Sequence, residues 1–125
     1  MVLATGDADG TLRALAQAGM QLRRERRGGS SRRPLRQAFF RHGEAILEVV
    51  GPAHGPAGAA AGGEAFDRPR LWGLTVTAAD LDEAARVLGD RLGQIHDAVQ
   101  PGRRIASVRE SAGVSVPLAF MSPAP

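Results

Sequence analysis

Glu48 is the residue with the most chemical promise. It stands in the run AILEVV at 45–50, a carboxylate among five apolar neighbours. An acid in the middle of an apolar strand is a metal ligand, a general base, or a core acid satisfied by an arginine or hydrogen-bond donor. The three histidines, His42, His54 and His96, have spacings that fit no common ligand motif and read as turn or surface residues. There are no cysteines, which excludes disulfide scaffolds, thiolate zinc sites, iron–sulfur clusters and cysteine nucleophiles. No Ser/His/Asp order supports a nucleophilic triad. Glu48 also has no acidic companion on its face for a paired-carboxylate mechanism.

The arginines come next. The run RRERRGGSSRRPLR at 23–36 suits phosphate contact. Its flanks alternate, however, and read as a hairpin whose charges protect an edge. No aromatic residue is interleaved in it to stack a base, so nucleic acid is not an expected partner. Arg103 and Arg104 follow Gln100-Pro101-Gly102 at a strand entrance, where a solvated turn or an anionic ligand would suit them. The glycines of GPAHGPAG at 51–58 follow no dinucleotide fingerprint and open no helix.

Composition frames these residues. The chain has 125 residues, 43% hydrophobic and 23% charged. That is one globular domain, large enough to fold without staples. All 16 basic residues are Arg, so a pI of about 11.2 accompanies a net charge of only +3. Absent Lys and Tyr with abundant Ala and Gly resemble GC-rich bacterial usage. No apolar run approaches the roughly 18 residues of a membrane span. MVLATGDADG has neither the basic nor the apolar region of a secretory signal. A cytoplasmic protein without membrane partners is expected.

The elements that must position Glu48 come as an internal repeat. Residues 1–52 and 71–123 read in the same order. Each opens with a strand, Met1–Thr5 and Leu71–Thr77. An acidic helix start follows, Asp7-x-Asp9 and Asp80-x-Asp82, suited to the N-cap and the helix dipole. The helices carry Leu12, Leu15, Ala16 and Gly19 in one half, and Leu81, Ala84, Ala85, Leu88 and Leu92 in the other. Strands at Met20–Arg27, Leu35–Arg41 and Ala45–Val50 complete the first half. Gln94–Val99, Arg104–Arg109 and Val114–Met121 complete the second. The reading is βαβββ, twice, with 53–70 as a flexible linker. The fold class is α+β, a single domain of two modules.

Alternation assigns faces. Leu47 and Val49, and Val114, Val116, Leu118 and Phe120, should pack against the helices. Ile46, Glu48 and Val50, and Ser115, Pro117, Ala119 and Met121, point the other way. A tight turn at His42-Gly43 would place Gln37 near Glu48 and Phe39 near Ile46. Glu48 would then find its hydrogen-bond donor in Gln37.

Two βαβββ modules, a strand–Asp–helix opening in each and LEVVGP closing the first resemble the vicinal oxygen chelate superfamily. The segment LWGLTVTAADLDEAARVLGDRLG…VQPGRRIASVRE…GVSVPLAFM is similar to its glyoxalase-like, bleomycin-resistance-type branch. The resemblance implies sheets curved around a shared cleft, and a metal site with one ligand from the first and last strand of each module. Those positions fall on Gly73, Ala119, Glu48 and one residue before Met1, so one ligand of four is present. The resemblance therefore implies a cofactor-free, metal-independent protein that binds a small amphipathic molecule. The cleft lining expected is Gln37, Phe39, Ile46, Glu48, Gly73, Thr75, Ser115, Pro117, Ala119 and Met121. Gly73 and Ala119 would open volume. One carboxylate in an apolar lining suits a ligand bearing a cation or hydrogen-bond donors. The alternative is a lyase, isomerase or dioxygenase with an unconventional site. A symmetric homodimer is expected.

Overall fold

The computed structural model describes residues 1–54 and 68–125. Most of the expected linker, 55–67, lies outside them. The chain divides into two compact units, Met1–Trp72 and Gly73–Pro125.

The first module runs β1 (Val2–Ala4), α1 (Ala8–Gln17), β2 (Leu22–Ser30), β3 (Arg33–His42) and β4 (Ala45–Pro52). Its strands lie in the order β2-β3-β4-β1. β1 is parallel to β4 and the other pairs are antiparallel. The second module runs β5 (Arg70–Thr77), α2 (Leu81–Leu88), β6 (His96–Asp97), β7 (Arg104–Ser107) and β8 (Leu118–Met121). Here the order is β5-β8-β7-β6, with β5 parallel to β8. Both modules are βαβββ, as the repeat in the sequence requires.

The helices start where the acids are. The Oδ1 of Asp7 accepts from the Gly10 amide at 2.9 Å, and that of Asp80 from the Glu83 amide at 2.9 Å. Each cap contributes about 1 kcal/mol by satisfying an orphan donor. α1 lays Leu12 and Leu15 on Ala38, Phe40 and Val49, joined by Leu3, Met20 and Leu47. α2 lays Leu81, Ala85 and Leu88 on Ala106 and Leu92, joined by Ile95, Val108 and Phe120.

The repeat extends into side-chain contacts. Ala38 faces Val49 across β3–β4, and Ala106 faces Phe120 across β7–β8. Two residues earlier, Arg36 binds the helix-start acid Asp9 and also Glu25, the latter at 2.6 Å. In the same place Arg104 binds Asp82 at 2.6 Å. Both modules thus tie the first turn of the helix to the strand beneath it. These pairs are partly exposed and each contributes modestly. The Glu25 hydrogen bond, opposed by partial burial, raises the Arg36 pKa. The Arg104 hydrogen bond holds the Asp82 carboxyl below its ordinary value of 3.8.

The structure corrects several expected boundaries. β8 is shorter than Val114–Met121. Residues 114–117 lie outside any strand, with a bend at 115–116, after a short 3₁₀ turn, Glu110–Ala112. Alternation therefore does not extend to Val114 and Val116, which are exposed rather than packed on α2. β2 and β3 are longer than expected and meet in a two-residue turn at Ser31-Arg32. β6 shrinks to two residues. The β3–β4 turn is Gly43-Glu44, not His42-Gly43. Gly43 has φ +58, and glycine belongs at the first central position of a type II′ hairpin turn. The register moves by two residues, giving Gln37↔Val50, Phe39↔Glu48 and Arg41↔Ile46. A shift of two preserves faces where a shift of one would exchange them.

The Asp82–Arg104 pair sets one test. A depressed carboxyl pKa adds stability above the unfolded value, lost as pH falls through the folded value. Asp82→Asn should therefore be less stable than wild type at neutral pH. The difference should close as pH falls below 3.8. Urea melts of both proteins across that range check it.

Candidate functional site

The site begins with parity. Phe40, Val49 and Leu47 face α1, so Phe39, Glu48, Ile46 and Gln37 share the helix-free face of the first sheet. Four of the expected site residues are thus brought together. Phe39 is directly opposite Glu48. The Gln37 amide nitrogen donates to Glu48 Oε1 at 2.8 Å. The expected contact exists, but it runs diagonally across the strands because Gln37 is opposite Val50. Glu48, Gln37 and Phe39 are half-buried and Ile46 is exposed.

A cavity of about 540 Å³ opens beside this cluster, lined by Arg23, Phe39, Phe40, Arg41 and Ile46. Its lining combines aromatic and aliphatic residues with two arginines. Arg23 falls where the β2–β3 register shifts between Leu22 and Arg24. Such bulges re-aim side chains. Arg41 donates to the Gly43 carbonyl at 2.9 Å.

The expected residues of the second unit are Gly73, Thr75, Ser115, Pro117, Ala119 and Met121. Thr75 pairs with Ala119 on the face opposite Phe120, and Ser107 lies beside Ala119 on β7. Met121, opposite Ile105, is buried. Ser115 stands in the bend before β8, off the strand that was expected to carry it. Gly73 opens no volume. A Cβ there would meet the Pro117 carbonyl oxygen at 3.0 Å and its Cβ at 3.2 Å. That carbonyl accepts the Leu74 amide at 2.9 Å, which fixes the approach.

Sequence reasoning missed three arginines. Arg23 and Arg41 line the cavity, and Arg26 lies opposite Gln37 on the same face as Glu48. In RRERR either parity presents an arginine, so only the register selects Arg26.

The donors do not fit a divalent cation. Gly73 and Ala119 carry no donor atom, and Glu48 Oε1 already accepts from Gln37. Among the described residues, no group of three or more His, Asp or Glu side chains could hold a metal ion. Nor is any helix among them long and apolar enough to cross a membrane.

Comparison with solved structures places this geometry. Methylmalonyl-CoA epimerase from Mycobacterium tuberculosis superposes with a TM-score of 0.66 at 18% identity, covering 99% of this chain and 85% of that one. A Streptomyces coelicolor methylmalonyl-CoA epimerase variant, in complex with 2-nitronate-propionyl-CoA, gives 0.68 at 16%, covering 99% and 94%. A hypothetical protein from Bacillus halodurans gives 0.68 at 12%, covering 99% and 91%. This is the vicinal oxygen chelate fold. At these identities the likeness establishes architecture, and function rests on the site residues. No protein-family model matches the chain, and no curated protein does.

The Gly73 packing carries a prediction. Gly73→Ala should lower stability by about 1–3 kcal/mol, because the backbone of Pro117 must move. Restoring donors with Gly73→His and Ala119→Glu should therefore cost stability and fail to create a metal site. Thermal melts with and without added Zn²⁺ or Co²⁺ check both.

Proposed function

We propose that this protein binds a small amphipathic molecule, without metal, on the helix-free face of its first sheet. The observation that carries the proposal is Glu48. A half-buried carboxylate is held at one oxygen by Gln37 at 2.8 Å and stands opposite Phe39, which lines a cavity of about 540 Å³. An apolar floor with a few convergent polar groups is the usual make-up of a small-molecule site. The epimerase neighbours in complex with methylmalonyl-CoA and 2-nitronate-propionyl-CoA support an acyl compound as the ligand. For the second unit, taken by itself, Gly73, Thr75, Ser115, Pro117, Ala119 and Met121 are the proposed ligand-contact positions.

Glu48→Gln tests the role of the charge. The amide keeps the shape of the carboxylate, so the melting temperature without ligand should stay nearly unchanged. Stabilisation by the compound that copurifies with the protein should fall. Equal ligand-induced shifts in both proteins would remove Glu48 from the site.

A second reading, an isomerase, is favoured by the epimerase neighbours together with a carboxylate on the site face. Glu48 would take and return a proton α to a carbonyl. Deuterium entering methylmalonyl-CoA from D₂O, and lost with Glu48→Gln, would establish it.

We also propose a homodimer. Trp72, Leu74 and Val76 alternate along β5 and are 50%, 45% and 42% exposed. Val76 lies opposite Phe120, on the side that α2 covers farther along the sheet. Three large apolar groups in one exposed stripe support a protein partner, and a second copy is the simplest. Light scattering should give twice the chain mass, and Val76→Asp should reduce it to the monomer.

A further inference from the structure

Arg26 is the group that the cluster around Glu48 leaves unexplained. It stands opposite Gln37 on the edge strand β2 and is the one residue of that strand that is not exposed. Its Nη1 is buried and has no hydrogen-bond partner. A guanidinium cannot shed its charge, and an occluded charged donor without an acceptor is costly. The nearby groups do not supply one. Gln37 is committed through its nitrogen to Glu48. Its oxygen lies 3.5 Å from where a Cβ on Gly28 would stand. Arg36, of opposite parity in the same hairpin, is satisfied by Asp9 and Glu25. Arg26 has no such carboxylate among the described residues.

Arg26 is also well placed. Arg24, two residues along β2, lies opposite Phe39, a wall of the cavity. Two strand residues span about 7 Å, so one short molecule can reach both Arg26 and Phe39. We infer that Arg26 is an anion-recognition residue for a ligand carboxylate, whose apolar remainder lies over Phe39 and Ile46. The planar fork of a guanidinium matches a carboxylate at two points. This inference rests on the proposed ligand-binding face and names its ligand class, an amphipathic monocarboxylate. It reverses the charge expected for the ligand from Glu48 alone.

The test titrates ¹⁵N-labelled full-length protein with octanoate and with octanamide, following the Arg26 Nε–Hε signal and the backbone amides of Phe39, Ile46 and Glu48. Octanoate should bind about ten-fold more tightly than octanamide, by about 1.4 kcal/mol, and move the Arg26 signal. Arg26→Gln should abolish that preference. Should Arg26→Gln fail to fold, Arg26→Lys keeps the charge, loses the fork and should retain only part of the preference. Equal affinity of both compounds at Phe39 and Ile46 would overturn the inference while the ligand-binding face stands. No perturbation there by either compound would overturn both. If Glu48→Gln alone displaces the Arg26 Nε–Hε signal, and is non-additive with Arg26→Gln in stability, Arg26 pairs with Glu48 and the inference fails.

Discussion

Strand parity is the constraint on which this protein depends. In β4 the helix α1 claims Leu47 and Val49. The pleat then leaves Glu48 no choice of side. The same rule in β3 buries Ala38 and Phe40 and turns out Gln37 and Phe39. Core and site are two faces of one pattern. A slip of one residue would bury the carboxylate against α1 and expose Val49, so hydrophobic burial itself enforces the polar arrangement.

The helix-start acids work on the same problem from another side. Asp7 and Asp80 cap the helices, while Asp9 and Asp82 reach down to Arg36 and Arg104. Equivalent residues make equivalent links in both modules. Only the first module places a carboxylate and an amide at the corresponding outward positions. Gln37, Phe39 and Glu48 correspond to Ile105, Ser107 and Ala119 when Ala38 is matched to Ala106. Two copies of one scaffold therefore carry one amide–carboxylate pair.

Much of this is legible in the sequence. Asp7 and Asp80 mark the helix starts because a carboxylate there satisfies amides that nothing else can reach. The faces of β3 and β4 follow from alternation. Register is less legible, since His42-Gly43 and Gly43-Glu44 both place glycine in the turn and differ only in which central position it takes. The end of the chain misleads for a different reason. VSVPLAF alternates like a strand, but Pro117 has no amide to donate and β8 begins only after it. Gly73 illustrates a further limit. A missing side chain reads as free space, whereas another segment of backbone fills it. Arg26 is invisible beforehand because four of five residues in RRERR are arginine.

The bulge at Arg23 has an evolutionary consequence. β2 is an edge strand, paired on one side to β3. An odd residue there is absorbed locally, without passing a phase change to β3, β4 or the contacts under α1. The rim of the cavity can thus gain or lose a residue while the core stays in register. Arg23, Arg24 and Arg26 stand on a strand that can be edited without reworking the strands under α1. A fold built this way can reshape that rim by drift along an edge, long before any buried position has to change.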